Sequence, residues 1–155
     1  MGEVSGTDPG ANLVAGIMRR NVVTVDPGEN VLEAEQIMRL ARIRHLPVVK
    51  DRVLVGLLSH RDVLEASMAA LEGSSPKERA EHLRRIPIEK ILRGKPRAVE
   101  ADCSLRDAAL TMLRLKIGCL PVVEPGPQGS RLLGIITESD LLRAAYVAGS
   151  AGTSD

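Results

Sequence analysis

The stretch HLPVV, from His45 to Val49, governs the interpretation of this sequence, because it returns as CLPVV from Cys119 to Val123. Proline has no amide hydrogen for a strand ladder, so a proline within an apolar, β-branched run is an unusual feature for a sequence to contain twice. The repetition indicates an internal repeat, and such a repeat determines the fold class before any single element is considered.

The repeat extends on both sides of this motif. Upstream, Val25 matches Val99 and Met38 matches Met112 at an offset of 74 positions. Downstream, LVGLLSHRDVLEA matches LLGIITESDLLRA at an offset of 78. The four additional residues of the second copy fall in the turn EPGPQGS, where insertions are tolerated. The chain therefore contains one structural unit written twice.

The first half of each copy predicts a short strand and a helix. Residues 22–25 alternate weakly before the turn sequence DPG, which is typical of a short strand. Asn30 precedes a run of helical periodicity and is followed three residues later by Glu33, and Ser104 and Asp107 repeat that arrangement. Both pairs have the spacing of a helix N-cap, so a helix is predicted to start after Asn30 and after Ser104.

The second half of each copy predicts a hairpin and another helix. Apolar runs at 46–49 and 53–58 flank a tight polar turn, and the proline of each copy is expected at a strand start or on a sheet edge. The second helices are predicted at 62–71 and 140–148. The fold class is therefore α+β, with two tandem β-α-β-β-α repeats.

The segment between the copies predicts a short polar helix. Ser75 has the position of its N-cap, Pro76 that of its first residue, and Glu78 that of a capping-box partner. We expect this helix to connect the repeats across the surface. The predicted organisation is a flexible N-terminal tail (1–12), a first repeat (13–72), a linker with a short helix (73–86), a second repeat (87–148) and a flexible C-terminal tail (149–155).

Composition argues against several classes of function. With 21 basic and 20 acidic side chains the net charge is +1, which does not favour nucleic-acid or membrane binding. One tyrosine, without tryptophan or phenylalanine, leaves no aromatic platform for single-stranded bases. No apolar run has the length of a membrane span, no signal-peptide pattern is present, and the two cysteines form no CxxC pair, so a reduced, cytoplasmic chain is expected. The three histidines share no metal-ligand spacing, and no metal site is predicted.

The order of the motifs resembles the cystathionine-β-synthase (CBS) domain. In each copy an hxPVV strand precedes a glycine-containing strand that ends in [ST]-x-x-D, at 59–62 and at 137–140. Two such copies over residues 13–148 resemble a stand-alone CBS pair. The resemblance implies two repeats packed through their sheets with pseudo-twofold symmetry, two equivalent clefts between the repeats, and a homodimer.

The resemblance also implies a function. CBS pairs are regulatory, non-catalytic modules, so this chain is expected to sense an adenosine-containing ligand and to regulate an unknown protein in trans. AMP, ADP or ATP is the expected ligand, NAD(H) and S-adenosylmethionine remain alternatives, and no further cofactor is required. A second class stays open, a dimeric interaction or assembly module with vestigial clefts, although both motif aspartates argue against it. A DNA-associated function would depend only on the basic run at 84–97.

Candidate site residues follow by position from the resemblance. In the family, [ST]-x-x-D holds ribose and phosphate, and adenine is recognised by the first strand and by the residues that enter the hxPVV strand. The first-repeat site then comprises Val23, Thr24, Arg44, His45, Leu46, Pro47, Ser59, His60, Arg61 and Asp62. The second-repeat site comprises Arg97, Ala98, Gly118, Cys119, Leu120, Pro121, Thr137, Ser139 and Asp140.

The [ST]-x-x-D motif permits two interpretations. An ionised aspartate can accept two charge-assisted hydrogen bonds from ribose hydroxyls, while the Ser or Thr hydroxyl and the amides at the helix start can donate to phosphate. The same spacing ahead of an apolar helix is also an ordinary capping box. The resemblance favours the ligand interpretation, and the same residues can serve as both.

The two sites differ in charge. SHRD places His60 and Arg61 beside the expected phosphate position, whereas TESD places Glu138 and Ser139 there. Since a carboxylate repels phosphate, the first site is predicted to prefer a phosphate-rich ligand, and the second to be weaker or to take a less charged adenosyl ligand. Ala98, which replaces the Thr24 of the first copy, removes a hydroxyl from the second site.

Two further predictions concern the residues that enter the second hxPVV strand. Gly118 is suited to the left-handed position after a helix, which its counterpart Arg44 adopts less readily. Cys119 is expected to be a small buried hydrophobic residue rather than a reactive thiolate.

Overall fold

The computed structural model describes residues 12–69 and 73–147 of the chain. It has the mixed α+β fold that was predicted. The helices are α1 (Val14–Ile17), α2 (Val31–Ala41), α3 (His60–Ala69), α4 (Pro76–Arg84), α5 (Leu105–Leu115) and α6 (Glu138–Tyr146), with a 3₁₀ turn at Ile88–Lys90. The strands are β1 (His45–Lys50), β2 (Val53–Ser59), β3 (Val99–Glu100), β4 (Cys119–Glu124) and β5 (Arg131–Thr137).

The contacts divide the chain into two compact units. What we name the first-repeat unit contains, of the described residues, 23–69, 73–96 and 126–131, and the second-repeat unit contains 12–22, 97–125 and 132–147. Residues 12–22, at the start of the first repeat in sequence, therefore fold with the second repeat. Residues 87–96, at the start of the second repeat, likewise fold with the first. Each unit has its own apolar core.

Both predicted N-caps are confirmed. The side chain of Asn30 accepts a hydrogen bond from the amide of Glu33, and that of Ser104 accepts one from the amide of Asp107, both at 3.0 Å. Such caps satisfy an amide that the first helical turn leaves without an intrahelical partner. The first long helix of each repeat, α2 and α5, therefore begins where the local sequence predicts.

The left-handed position after these helices is not the predicted one. Arg42 and Lys116 follow α2 and α5 with φ of 54° and 55°, whereas neither Arg44 nor Gly118 has a positive φ. The left-handed residue after α5 is therefore Lys116, two residues before the predicted Gly118. Because Arg42 and Lys116 are counterparts at an offset of 74, the repeat preserves this conformation without preserving a glycine there.

The hairpins lie where the sequence predicts them. In the first repeat β1 pairs antiparallel with β2, from His45 opposite Ser59 to Lys50 opposite Val53. The two-residue turn Asp51–Arg52 has φ of 50° and 68°, the positive values that suit the twist of a tight hairpin. In the second repeat β4 lies between β5 and β3 and pairs in parallel with β3.

Two strand predictions need correction. The strand expected at 22–25 is reduced to a single bridge, in which the amide of Val25 donates to the carbonyl of Pro47 at 3.1 Å. The chain turns immediately afterwards, where the Asp26 side chain accepts from the amide of Gly28 at 2.8 Å. Pro121 lies inside β4, away from the edge that was predicted. Since proline has no amide hydrogen, Pro121 contributes only an acceptor to the ladder of β4.

The second helix of each repeat begins two residues earlier than predicted, at His60 and at Glu138. The predicted ends at 71 and 148 lie outside the described residues. No helix within the described ranges is long and apolar enough to cross a membrane.

The linker helix has the predicted cap but a deeper position. Ser75 and Glu78 form the reciprocal capping box, and Pro76 is the first residue of α4. Most of α4 is exposed, but Leu83 is fully buried in the core of the first-repeat unit. Arg79 in α4 also donates to Ser67 of α3 at 2.8 Å. The linker is therefore an integral part of that unit.

Candidate functional site

The junction of β2 and α3 holds the first [ST]-x-x-D motif in a closed set of hydrogen bonds. The amide and the hydroxyl of Ser59 both donate to Oδ2 of Asp62, at 2.9 and 2.6 Å. The amide of Asp62 in turn donates to the Ser59 hydroxyl at 3.2 Å. One carboxylate oxygen is thus used entirely to start the helix.

The junction of β5 and α6 repeats this geometry. The amide and hydroxyl of Thr137 donate to Oδ2 of Asp140 at 2.9 and 2.8 Å, and the amide of Asp140 donates back at 3.3 Å. The capping interpretation of the motif is therefore confirmed in both repeats. It does not exclude a ligand, since the other oxygen of each carboxylate, Oδ1, takes no part in the cap.

A backbone hydrogen bond joins each motif to the residues that enter the hxPVV strand. The amide of His60 donates to the carbonyl of Arg44 at 2.7 Å, and the amide of Glu138 donates to that of Gly118 at 3.0 Å. The structure therefore brings together two of the predicted site segments in each repeat. The amides of His60 and Asp62 already donate to groups within the protein. The sequence had suggested that amides at this helix start could donate to phosphate.

An arginine occupies the second oxygen of each motif aspartate. Nε of Arg19 donates to Oδ1 of Asp140 at 3.0 Å, and Nη2 lies 2.9 Å from the same oxygen. In the first repeat, Nε of Arg93 lies 3.4 Å from Oδ1 of Asp62. The aspartate side chains are 6% and 16% exposed, whereas both arginines are more than half exposed. The buried Asp140 carboxylate and the partly buried Asp62 carboxylate therefore each face an arginine whose side chain is exposed.

Sequence reasoning missed both arginines. Arg93 belongs to the basic run at 84–97, and no motif of the sequence relates Arg19 to a site. One signal could have identified them, because Arg19 and Arg93 are counterparts at the offset of 74 that relates the two copies. The structure shows that equivalent arginines contact equivalent aspartates, Asp140 and Asp62.

Arg93 has a second carboxylate partner that Arg19 does not share. Its Nη2 contacts Oε2 of Glu65, one turn after Asp62 on α3, and Glu65 also lies 3.4 Å from Nε of Arg61. The position equivalent to Glu65 in the second repeat is Arg143. The electrostatics of the two sites therefore differ beyond the SHRD and TESD motifs.

The remaining predicted site residues divide by burial. Leu46, Pro47, Leu120 and Pro121 are buried, so they can offer a ligand only backbone groups. The exposed members of the predicted set, whose side chains can reach a solute, are Val23, Thr24, Arg44, His60, Arg61, Arg97 and Ser139, and His45 and Ala98 are half-buried. A contact of Val23, Thr24, Arg97 or Ala98 with adenine stays a prediction.

Gly118 has a role that was not anticipated. A Cβ atom at this position would lie 3.4 Å from Oε2 of Glu138, so the carboxylate of Glu138 lies directly over the glycine. Arg44 stands at the equivalent position of the first repeat. The entrance to the second motif therefore carries a negative charge where the first carries a positive one.

Cys119 behaves as a buried hydrophobic residue, as expected. Its side chain is almost fully buried. Burial, and secondarily the negative charge of Asp140, raise the pKa of the Cys119 thiol to about 12. The thiol is therefore protonated near neutral pH. No group of three or more His, Cys, Asp or Glu side chains suited to a metal ion occurs among residues 12–69 and 73–147.

Comparison with known proteins places this geometry in a family. The family model for the CBS domain matches residues 14–69 and 84–146. The inosine-5'-monophosphate dehydrogenase of Korarchaeum cryptofilum is 32% identical over 122 residues, which cover 79% of this chain and 22% of that protein, so the chain spans less than a quarter of the enzyme.

Two solved structures have the same fold. The structure of CBSX2 in complex with AMP has a TM-score of 0.70 and 29% identity, covering 86% of this chain and 96% of that chain. The CBS domain pair of MJ0100, in complex with 5-methylthioadenosine and S-adenosyl-L-methionine, has a TM-score of 0.67 and 26% identity, covering 84% and 93%. Since the family model matches two consecutive segments that coincide with the two repeats, the chain belongs to the CBS domain family and contains a tandem CBS pair.

Proposed function

We propose that this chain is a regulatory, non-catalytic module that senses an adenosine-containing ligand at the two [ST]-x-x-D motifs. The observation that carries the proposal is that the two carboxylate oxygens of Asp62, and likewise of Asp140, make different contacts. In each, Oδ2 is used by the helix cap, whereas Oδ1 takes no part in the cap and faces an exposed arginine, so it can accept from ribose hydroxyls in place of that arginine. AMP in CBSX2 and the two adenosyl ligands of MJ0100 support the same ligand class.

The charges around each motif favour different ligands. Arg44, His60 and Arg61 are exposed near the first motif, so the first site suits AMP, ADP or ATP. Glu138 lies over Gly118 at the second motif and opposes a polyphosphate. The second site therefore suits a less charged adenosyl compound, such as S-adenosylmethionine.

The test is thermal unfolding of the chain with AMP, ATP and S-adenosylmethionine. A ligand at a hundred times its dissociation constant adds about 2.7 kcal/mol to the free energy of unfolding, which raises the Tm of a chain of this size by about 5–10 °C. Asp62→Asn should abolish the rise caused by ATP, and Asp140→Asn the rise caused by S-adenosylmethionine, because an amide oxygen accepts ribose hydroxyls less strongly than a carboxylate.

Asp107→Asn is the matched control. Asp107 stands at the same third helical position of α5, where its amide donates to the Ser104 cap, but it belongs to no [ST]-x-x-D motif. This variant should keep both ligand responses. If no adenosyl compound changes the Tm of the unmodified chain, the proposal is wrong and an assembly function becomes the better one.

We also propose that the chain acts as a homodimer and regulates another protein in trans. The support is a duplicated apolar surface. Leu64 and Met68 are exposed one turn apart on α3, and their counterparts Leu142 and Tyr146 are exposed one turn apart on α6. Exposed apolar side chains at equivalent places in both repeats are typical of a face that is covered by a second copy.

A further inference from the structure

We infer that Arg19 and Arg93 compete with the ligand for Oδ1 of the motif aspartates. Because the two Arg–Asp pairs differ in strength, we also infer that a ligand displaces Arg93 from Asp62 more readily than Arg19 from Asp140. This inference rests on the proposed function, since it concerns how ligand gains access to the same carboxylates. Each arginine already holds the oxygen that a ribose needs. Binding then requires the Arg–Asp pair to separate.

The Arg–Asp pair occurs twice, and each time the arginine and the aspartate come from different repeats. Arg19 lies near the start of the first repeat but contacts Asp140 of the second, at a sequence separation of 121, while Arg93 lies near the start of the second repeat but contacts Asp62 of the first. Both arginines lie at the same position of the repeated sequence. A surface ion pair formed by chance would not be expected to recur between equivalent residues.

The pair in the second-repeat unit is the tighter one. Nε of Arg19 donates to Oδ1 of Asp140 at 3.0 Å, and Nη2 lies 2.9 Å from the same oxygen. The charge-assisted hydrogen bond therefore uses the oxygen that a ribose would need. The Asp140 side chain is 6% exposed and that of Arg19 is 54% exposed, so solvent reaches the pair from the arginine side. A ribose hydroxyl therefore has to compete with Arg19 for this oxygen.

The pair in the first-repeat unit is looser. Nε of Arg93 is 3.4 Å from Oδ1 of Asp62, beyond a normal hydrogen bond, and the same guanidinium contacts Glu65. Glu65 can therefore retain Arg93 when a ligand takes Asp62. The residue equivalent to Glu65 in the second repeat is Arg143. Arg19 therefore has no second carboxylate at that position. A ligand therefore reaches Asp62 readily, whereas it reaches Asp140 only when the ion pair with Arg19 is broken.

Adenosine is the probe that isolates this competition, because it has the ribose but no phosphate that could attract an arginine. Its affinity is measured by calorimetric titration of the full chain in an Asp62→Asn background, where only the second site remains. Adding Arg19→Gln should tighten adenosine binding about three- to tenfold, the magnitude of a partly exposed, charge-assisted pair. Arg20→Gln, at the exposed neighbouring arginine, is the control and should change nothing.

The first site gives the converse test. In an Asp140→Asn background, Glu65→Gln should weaken adenosine binding about twofold, because Arg93 then has Asp62 as its remaining carboxylate partner. Arg93→Gln should not weaken it. Opposite effects of Glu65 and Arg19 substitutions would not arise if both residues only supported the fold.

A measurement on the unmodified chain is independent of how the variants fold. Nε–H of Arg19 donates to Asp140, so its NMR signal should exchange slowly with water, and should shift and exchange faster when adenosine saturates the protein. The signal of Arg20 should stay unchanged. A bound protein in which the Arg19 signal does not move would overturn the inference.

The outcomes separate the two proposals. If adenosine binds but Arg19→Gln leaves the affinity unchanged or lowers it, the competition is absent and the proposed function stands. If neither the unmodified chain nor the arginine variants bind adenosine or AMP, the proposed function fails and the inference fails with it.

Discussion

Asp62 and Asp140 each use their two oxygens for different purposes. Oδ2 accepts from the amide and the hydroxyl of the residue three positions earlier, which starts the helix. Oδ1 faces an arginine and is the atom we assign to ribose. This explains how one short motif can be both a capping box and a ligand site, two interpretations that local spacing cannot separate.

Cys119 gives a prediction of pH dependence. Its pKa in the folded chain is about 12, raised from 9.0, so the folded state retains the proton more strongly than the unfolded state. Stability from this residue is fully present below pH 9 and is lost as the pH rises toward 12. Between pH 8 and pH 10.5, the unmodified chain should lose about 2 kcal/mol more of its free energy of unfolding than Cys119→Ala does.

Urea unfolding at the two pH values measures this difference. Groups that titrate equally in both proteins cancel, and so does the constant effect of the cavity that alanine leaves. Parallel loss of stability in the two proteins would contradict the assignment of a buried, protonated thiol.

At the scale of elements, one strand of each repeat contains a glycine with a close neighbour. Gly56 in β2 and Gly134 in β5 are counterparts, and a Cβ at either would be too close to another atom. At Gly56 the obstacle is Cδ1 of Leu92, at 2.7 Å, which is the end of a flexible side chain. At Gly134 it is the carbonyl oxygen of Arg19, at 2.6 Å, which belongs to the backbone.

Gly134→Ala should therefore destabilise the chain more than Gly56→Ala, by about 1–2 kcal/mol, because a leucine can adopt another rotamer and a carbonyl cannot. The Arg19 carbonyl also accepts from the amide of Ile135 at 2.9 Å, so its displacement disturbs the bridge that positions Arg19. Denaturant unfolding of both variants is the measurement. Equal losses would show that the segment carrying Arg19 moves without penalty.

At the scale of the whole molecule, the boundaries of the two compact units do not coincide with the boundaries of the two sequence repeats. The segment that carries Arg19 folds with the second repeat, and the segment that carries Arg93 folds with the first. Each unit therefore obtains its aspartate from one copy and its arginine from the start of the other. We infer that a ligand that separates these pairs would act directly on the segments that carry Arg19 and Arg93, which would link binding to regulation.

Dimerisation is tested at the same scale. Leu142→Glu places a charge within the exposed apolar surface of α6 and should convert the dimer to a monomer, as measured by light scattering after size-exclusion chromatography. Leu113→Glu is the control, since Leu113 is also exposed but its counterpart is Arg39, so it is not part of a duplicated apolar surface. A monomer in the unmodified chain, or a dimer that survives Leu142→Glu, would contradict the proposed surface.

Much of the fold follows from signals a few residues apart. The caps at Asn30, Ser75 and Ser104 need only a partner three positions later, and the hairpins need only apolar runs around a tight turn. The duplication of these signals was sufficient to recognise the family. Local signals do not show where a distant contact buries a residue, as with Leu83 in a helix of polar composition.

The sequence alone thus determined the two repeats, their element order and the position of both [ST]-x-x-D motifs, because helix caps, hairpin turns and apolar periodicity are encoded locally. It did not determine the partners of the second aspartate oxygens. Arg19 and Asp140 are separated by 121 positions, and no local spacing relates them. Only folding, which places the first residues of one repeat in the unit of the other, brings these charges within hydrogen-bond distance.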